Sequence, residues 1–135
     1  METALYYLLL SGILTLLLWT PYILARAFVW GLPTFLNNYP KGYPTTEPEP
    51  PMWAVRAKRA HLNMVETMPA FIAVIIAATQ LATQAELVTV GTWAQVFFIA
   101  RIAYAGIYIF GIPFLRTPSY LVSWFAILAI AIQVL

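Results

Sequence analysis

Long apolar runs, separated by short polar stretches, divide the chain. Thr3 to Ala25 holds no charged residue, and Thr67 to Ala85 lies between Glu66 and Glu86. Leu87 to Leu115 is interrupted only by Arg101, and Thr117 to Leu135 again carries no charge. A bilayer span takes about 20 predominantly apolar residues, so each run can supply one helix. The runs are continuous rather than alternating in segments of about ten, which sets a transmembrane barrel aside. The predicted helices cover about 3–29, 54–82, 86–112 and 116–134. The expected fold is all-α: one integral membrane domain over 1–135, a four-helix bundle with up-down topology.

The breaks have their own signatures. Residues 31–52 contain six of the ten prolines together with Glu47 and Glu49, which predicts an irregular surface loop. A short turn is expected around Thr83 to Glu86. The third helix should end near Gly111-Ile112-Pro113, and Pro118 suits the first turn of the fourth. The first run does not read as a cleaved leader: no basic segment precedes it, it is long, and Trp19, Pro21 and Tyr22 stand where small residues would be needed. Arg26, Lys41, Arg56, Lys58 and Arg59 lie in or beside the first loop and Arg116 in the third, whereas the termini and second loop contain no Lys or Arg. By the positive-inside rule the termini are expected outside or lumenal, and loops one and three cytoplasmic.

Composition agrees with this picture. Hydrophobic residues make up 62% of the chain and charged ones only 9%, against about 25% charged in soluble domains. That excludes a disordered chain and a nucleic-acid-binding domain, and the absence of cysteine excludes a disulfide scaffold. The formal charge of +2 is too small to identify a partner. One histidine and no cysteine also leave too few ligands for a metal site.

An ionisable side chain at mid-span costs at least about 2.5–3.5 kcal/mol, so it persists only beside a cavity, a partner or the interface. Two such groups stand out. Arg56, Arg59, Asn63 and Glu66 are spaced 3, 4 and 3 apart, which aligns them on one helical face. Glu66 begins the apolar run and is expected to pair with Arg59 or Arg101. Arg101, Tyr104 and Tyr108, spaced 3 and 4, share a second face, with Arg116 beyond the Pro113 break. Lys58 and Lys41 read as ordinary snorkelling residues. His61 points away from the first stripe and reads as an interfacial or inter-subunit residue. Ala70, Ala73 and Ala77 continue below Glu66 and would let another backbone approach closely.

The stretch Arg56-x-x-Arg59-Ala60-His61-x-Asn63-x-x-Glu66-x-x-Pro69 resembles the signature of the MAPEG family, the membrane-associated proteins of eicosanoid and glutathione metabolism. Ala100-Arg101-x-x-Tyr104-x-x-x-Tyr108, followed by Arg116, is similar to that family's third-helix motif. The resemblance spans the whole chain and is nearest the prokaryotic branch, which implies a bacterial inner membrane in preference to the endoplasmic reticulum. It implies a homotrimer, with glutathione as co-substrate bound between subunits near the cytoplasmic face. Carried over by position, Arg59, Asn63 and Glu66 would hold glutathione from the second helix, and Arg101, Tyr104 and Tyr108 from the third. Arg26 and Arg56 would add charge at the rim, and Arg116 falls near the arginine that activates the thiol. The chain departs from the eicosanoid branch at Thr67, where that branch has a tyrosine, and at Leu115, which aligns with the activating arginine.

The polar inventory suits this ligand. Glutathione carries two carboxylates, which arginines bind in a bidentate way, and an ammonium, which Glu66 could accept. Asn63 can donate and accept at a peptide group. A free thiol titrates near 8.5, and an adjacent guanidinium favours the thiolate. The resemblance thus implies a glutathione-dependent transferase or peroxidase, with a small lipophilic second substrate arriving from the bilayer. The alternative is a non-catalytic binding or scaffolding protein on the same fold.

Overall fold

The computed structural model describes residues 1–37 and 49–135. Lys41 and the middle of the proline-rich stretch lie outside the described residues. Five helices and no strand are found among the described residues: α1 (Glu2–Trp30), α2 (Leu32–Leu36), α3 (Met52–Leu81), α4 (Gln84–Phe110) and α5 (Arg116–Ile132).

Three of these, α1, α3 and α4, are long and apolar enough to cross a membrane. The last, α5, is a 17-residue apolar helix, about 26 Å long and so shorter than a hydrocarbon core of about 30 Å. The four-helix expectation therefore needs qualifying. A second correction concerns α2, which forms where an irregular loop was predicted. Gly31, at φ 78° and ψ 145°, breaks α1. Pro33 then stands in the first turn of α2, where its fixed φ starts a helix instead of stopping one. The Phe35 N–H donates to the Gly31 carbonyl at 2.9 Å and closes the turn.

The ends of α4 explain both of its connections. Only Ala82 and Thr83 separate it from α3. Thr83 and Glu86 form a capping box, each side chain accepting from the other's backbone N–H. Glu86 therefore belongs to the first turn of α4 and not to the preceding turn. At the far end Gly111 takes the left-handed conformation, φ 70° and ψ 33°, and the Ile112 N–H donates to the Ile107 carbonyl at 2.9 Å. This is a Schellman-type stop, and it suits glycine because no Cβ is present to clash.

Helix α4 packs against α1, α3 and α5, and α3 packs against α1. Phe71 and Phe97 stack at the centre with ring centroids 3.8 Å apart and planes 16° from parallel. Met64, Met68, Ile75, Val90, Ala94 and Ile130 surround them. Gly91 lets the start of α1 come close: a Cβ there would lie 3.0 Å from the Thr3 Cβ. The outer surface is apolar, with Leu9, Leu16, Leu17, Phe28, Ile76 and Val88 exposed. A soluble protein would hide most of these, whereas in a bilayer they meet lipid.

Candidate functional site

Arg101 stands at the middle of the polar constellation. It lies on α4, is 1% exposed, and its guanidinium reaches across to α3 and α5. Nη2 donates to Asn63 Oδ1 at 2.8 Å, Nε to Met64 Sδ at 3.2 Å, and Nη1 to Ser123 Oγ at 3.5 Å. Its Cζ lies 4.9 Å from the centre of the Tyr104 ring and 5.8 Å from that of Tyr120. Among the described residues, these partners are all uncharged. A guanidinium offers five N–H donors, so the three contacts leave some over.

The expected pairing of Arg101 with Glu66 is not what the helix geometry provides. Asn63 and Glu66 differ by about 60° around the helix at 100° per residue. That difference turns Asn63 toward α4, while Glu66 is exposed at the edge of the bundle. Arg59 is exposed as well, on the Glu66 side of α3.

From Arg101 a ladder of rings and cations follows α4 toward its C-terminal end. The Tyr104 and Tyr108 rings are 5.7 Å apart, and the Arg116 Cζ lies 5.0 Å from the Tyr108 centroid. The Arg56 guanidinium rests directly against Gly111, in space that a Cβ would occupy. Arg56, Tyr108, Gly111 and Arg116 line a cavity of about 280 Å³. A second cavity of about 290 Å³ lies between α3 and α5, lined by Asn63, Glu66, Thr67, Ala70, Tyr120 and Trp124. Thr67 donates its hydroxyl proton to the Asn63 carbonyl at 2.7 Å, which holds it at the wall of this cavity.

Three site residues were not singled out in the sequence: Met64, Tyr120 and Ser123. Nothing marks Met64 or Ser123. Tyr120 had a signal, because it follows Arg116 by four residues and shares its helical face.

Two other residues lie elsewhere. Arg26 faces the opposite side of α3, in a cavity between α1 and α3, with its Cζ 4.1 Å from the centre of the Trp30 ring. His61, read from the sequence as interfacial or inter-subunit, contacts Tyr22 of its own chain, with Nδ1 and the phenol oxygen 3.1 Å apart. Tyr22 precedes Arg26 by one turn of α1, which places it opposite the His61 side of α3. Among the described residues no group of three His, Asp or Glu side chains could hold a metal ion.

Comparison with known proteins fits this arrangement. The chain belongs to the MAPEG family, whose model matches residues 3–135. No curated protein and no solved structure matches it. The family includes glutathione transferases and peroxidases, and its members use glutathione. Together with three long apolar helices, the membership fits an integral membrane protein.

Proposed function

We propose that this chain is a glutathione-dependent membrane transferase or peroxidase acting on lipophilic electrophiles or lipid hydroperoxides. The observation that carries this reading is the run of cations and tyrosines along α4: Arg101, Tyr104, Tyr108 and Arg116, with Arg56 against Gly111. Buried charges are normally paired, yet Arg101 has only uncharged protein partners among the described residues. A ligand carboxylate is the natural counter-ion. Arg56 and Arg116, at the open end of the ladder, supply positive charge for a second acidic group.

Bound glutathione supplies the thiol nucleophile. Asn63 and Thr67 present polar groups at the cavity wall, and Glu66 offers a carboxylate for the ammonium. Arg116 is exposed at the start of α5, where its guanidinium can favour the thiolate over the thiol. Arg26, on the far side of α3, takes no part within the subunit.

A homotrimer supports the same reading. Glu66, Arg59, Ala70 and Ala73 are exposed along α3. A carboxylate and a guanidinium facing lipid are costly, and small residues allow close helix contact. A second copy against this face would cover the charges and close the cavity between α3 and α5. With the termini outside or lumenal, the ladder's open end faces the cytoplasm, where glutathione is available. The inner membrane of a bacterium is the setting this reading favours.

Titration of glutathione into the detergent-solubilised protein, read by thiolate absorbance and thermal unfolding, tests binding. Saturable binding with thiolate formation is expected, and no binding would overturn the proposal. Turnover of a chloronitrobenzene or an organic hydroperoxide then separates an enzyme from a non-catalytic scaffold.

A further inference from the structure

The cavity between α1 and α3 is separate from the ladder on α4. It measures about 320 Å³ and is lined by Trp19, Ile23, Arg26, Trp30, Ala54 and Lys58, among others. At 100° per residue Ala54, Lys58 and His61 fall within about 60° of one another on α3, while Asn63, Glu66, Thr67 and Ala70 centre on the opposite side. One molecule within a subunit cannot reach both faces.

Its two ends differ in chemistry. Tyr22 and His61 fix the level at which α1 and α3 meet. One turn closer to the first loop on each helix stand Arg26 and Lys58, so two cations from different helices face one space. Toward the middle of the membrane the lining becomes Ile23 and Trp19. Trp19 and Trp30 are separated by about 16 Å along α1 at 1.5 Å per residue. That length carries the cavity from headgroup level into the acyl region, and tryptophans favour this boundary. A basic pocket between membrane helices on the cytoplasmic side has the chemistry to hold an anionic lipid headgroup.

We propose that this cavity binds an anionic glycerophospholipid of the cytoplasmic leaflet. Its phosphate lies between Arg26 and Lys58, and its acyl chain runs past Ile23 and Trp19. The site does not depend on glutathione binding. It also gives Lys58 a role other than snorkelling.

The test is calorimetric titration of dioctanoyl phosphatidylglycerol, dioctanoyl phosphatidylcholine and inorganic phosphate into the full chain in neutral detergent. Phosphatidylglycerol is expected to bind saturably and at least tenfold more tightly than the other two. Lys58→Gln and Arg26→Gln should each weaken it about fivefold, as expected when a basic residue near an anionic surface contributes about 1 kcal/mol. Lys58 is exposed, so its variant is expected to fold. Glutathione affinity should be unchanged in Lys58→Gln, which separates this site from the one on α4. Equal binding of the two lipids, or no effect of either substitution, would overturn the proposal. Equally tight binding of inorganic phosphate would replace the lipid with a soluble phosphate compound.

Discussion

Asn63 and Arg101 meet across α3 and α4, the amide Oδ1 accepting a proton from Nη2 at 2.8 Å. The bond fixes the rotation of the two helices and aims a buried guanidinium at the α3–α5 cavity. Asn63→Ala should therefore act twice. With no ligand present, thermal unfolding should show a loss of about 1–3 kcal/mol, the cost of leaving a buried donor without its acceptor. Glutathione affinity should fall as well, because Arg101 loses its orientation. Unchanged stability in the ligand-free protein would show that Asn63 does not hold the helices.

The stacked Phe71 and Phe97 rings set the spacing of α3 and α4 beneath the site. Phe97→Ala leaves a cavity at a fully buried position and should cost about 3 kcal/mol or more. Equilibrium unfolding in mixed micelles measures this. Phe97→Leu, which retains most of the volume, should recover the larger part.

Gly111 has two separate jobs, and substitutions can separate them. Its left-handed backbone costs an ordinary L-residue about 1–2 kcal/mol, and asparagine less. Any Cβ there also collides with the Arg56 guanidinium, which must swing away. Gly111→Ala should lose both stability and glutathione affinity. Gly111→Asn should keep more of the stability but lose the same affinity, as read by thermal unfolding and titration side by side. If Gly111→Asn binds as tightly as the unaltered chain, the position of Arg56 does not matter for the ligand.

Much of the fold was legible because it rests on long uncharged runs, and three of those runs are long apolar helices. The short helix α2 was not, since proline was read only as a breaker while Pro33 sits where it starts a turn. In the site, spacing correctly grouped Arg101, Tyr104 and Tyr108 on one face. It misjudged the partner of Arg101, because opposite charge favoured Glu66 whereas helix rotation selects Asn63. Contacts such as Met64 and Ser123 depend on how α3, α4 and α5 are turned against one another, and no local pattern encodes that. His61 illustrates the same limit: its direction away from the stripe was readable, but Tyr22 as its partner was not.

Charge on the α3 rim sets the next expectation. If Glu66 accepts the glutathione ammonium, Glu66→Gln keeps the shape and removes the charge. A hydrogen bond to a charged group is worth about 1.5–3 kcal/mol, so affinity should drop roughly tenfold or more. Arg59→Ala should weaken binding similarly through the ligand's carboxylate. Titration calorimetry decides both, and wild-type affinity in Glu66→Gln would remove the carboxylate from the site.

Arg116 should behave differently from these binding residues. Its guanidinium sits beside Tyr108 at the open end of the ladder, and it is exposed. If it stabilises the thiolate, Arg116→Ala raises the thiol pKa of bound glutathione toward the free value near 8.5. Each unit of that rise corresponds to about 1.36 kcal/mol. The sign follows directly: at neutral pH less of the bound ligand is thiolate and turnover falls. Well above pH 8.5 the thiol ionises without help, and the variant's rate should converge on that of the unaltered chain. The dissociation constant should change little, since the loss falls on the chemical step. Thiolate absorbance recorded against pH for both proteins reads the shift without turnover. An unchanged thiol pKa in Arg116→Ala would transfer the activating role to another group on the ladder, with the Tyr104 hydroxyl the next to test.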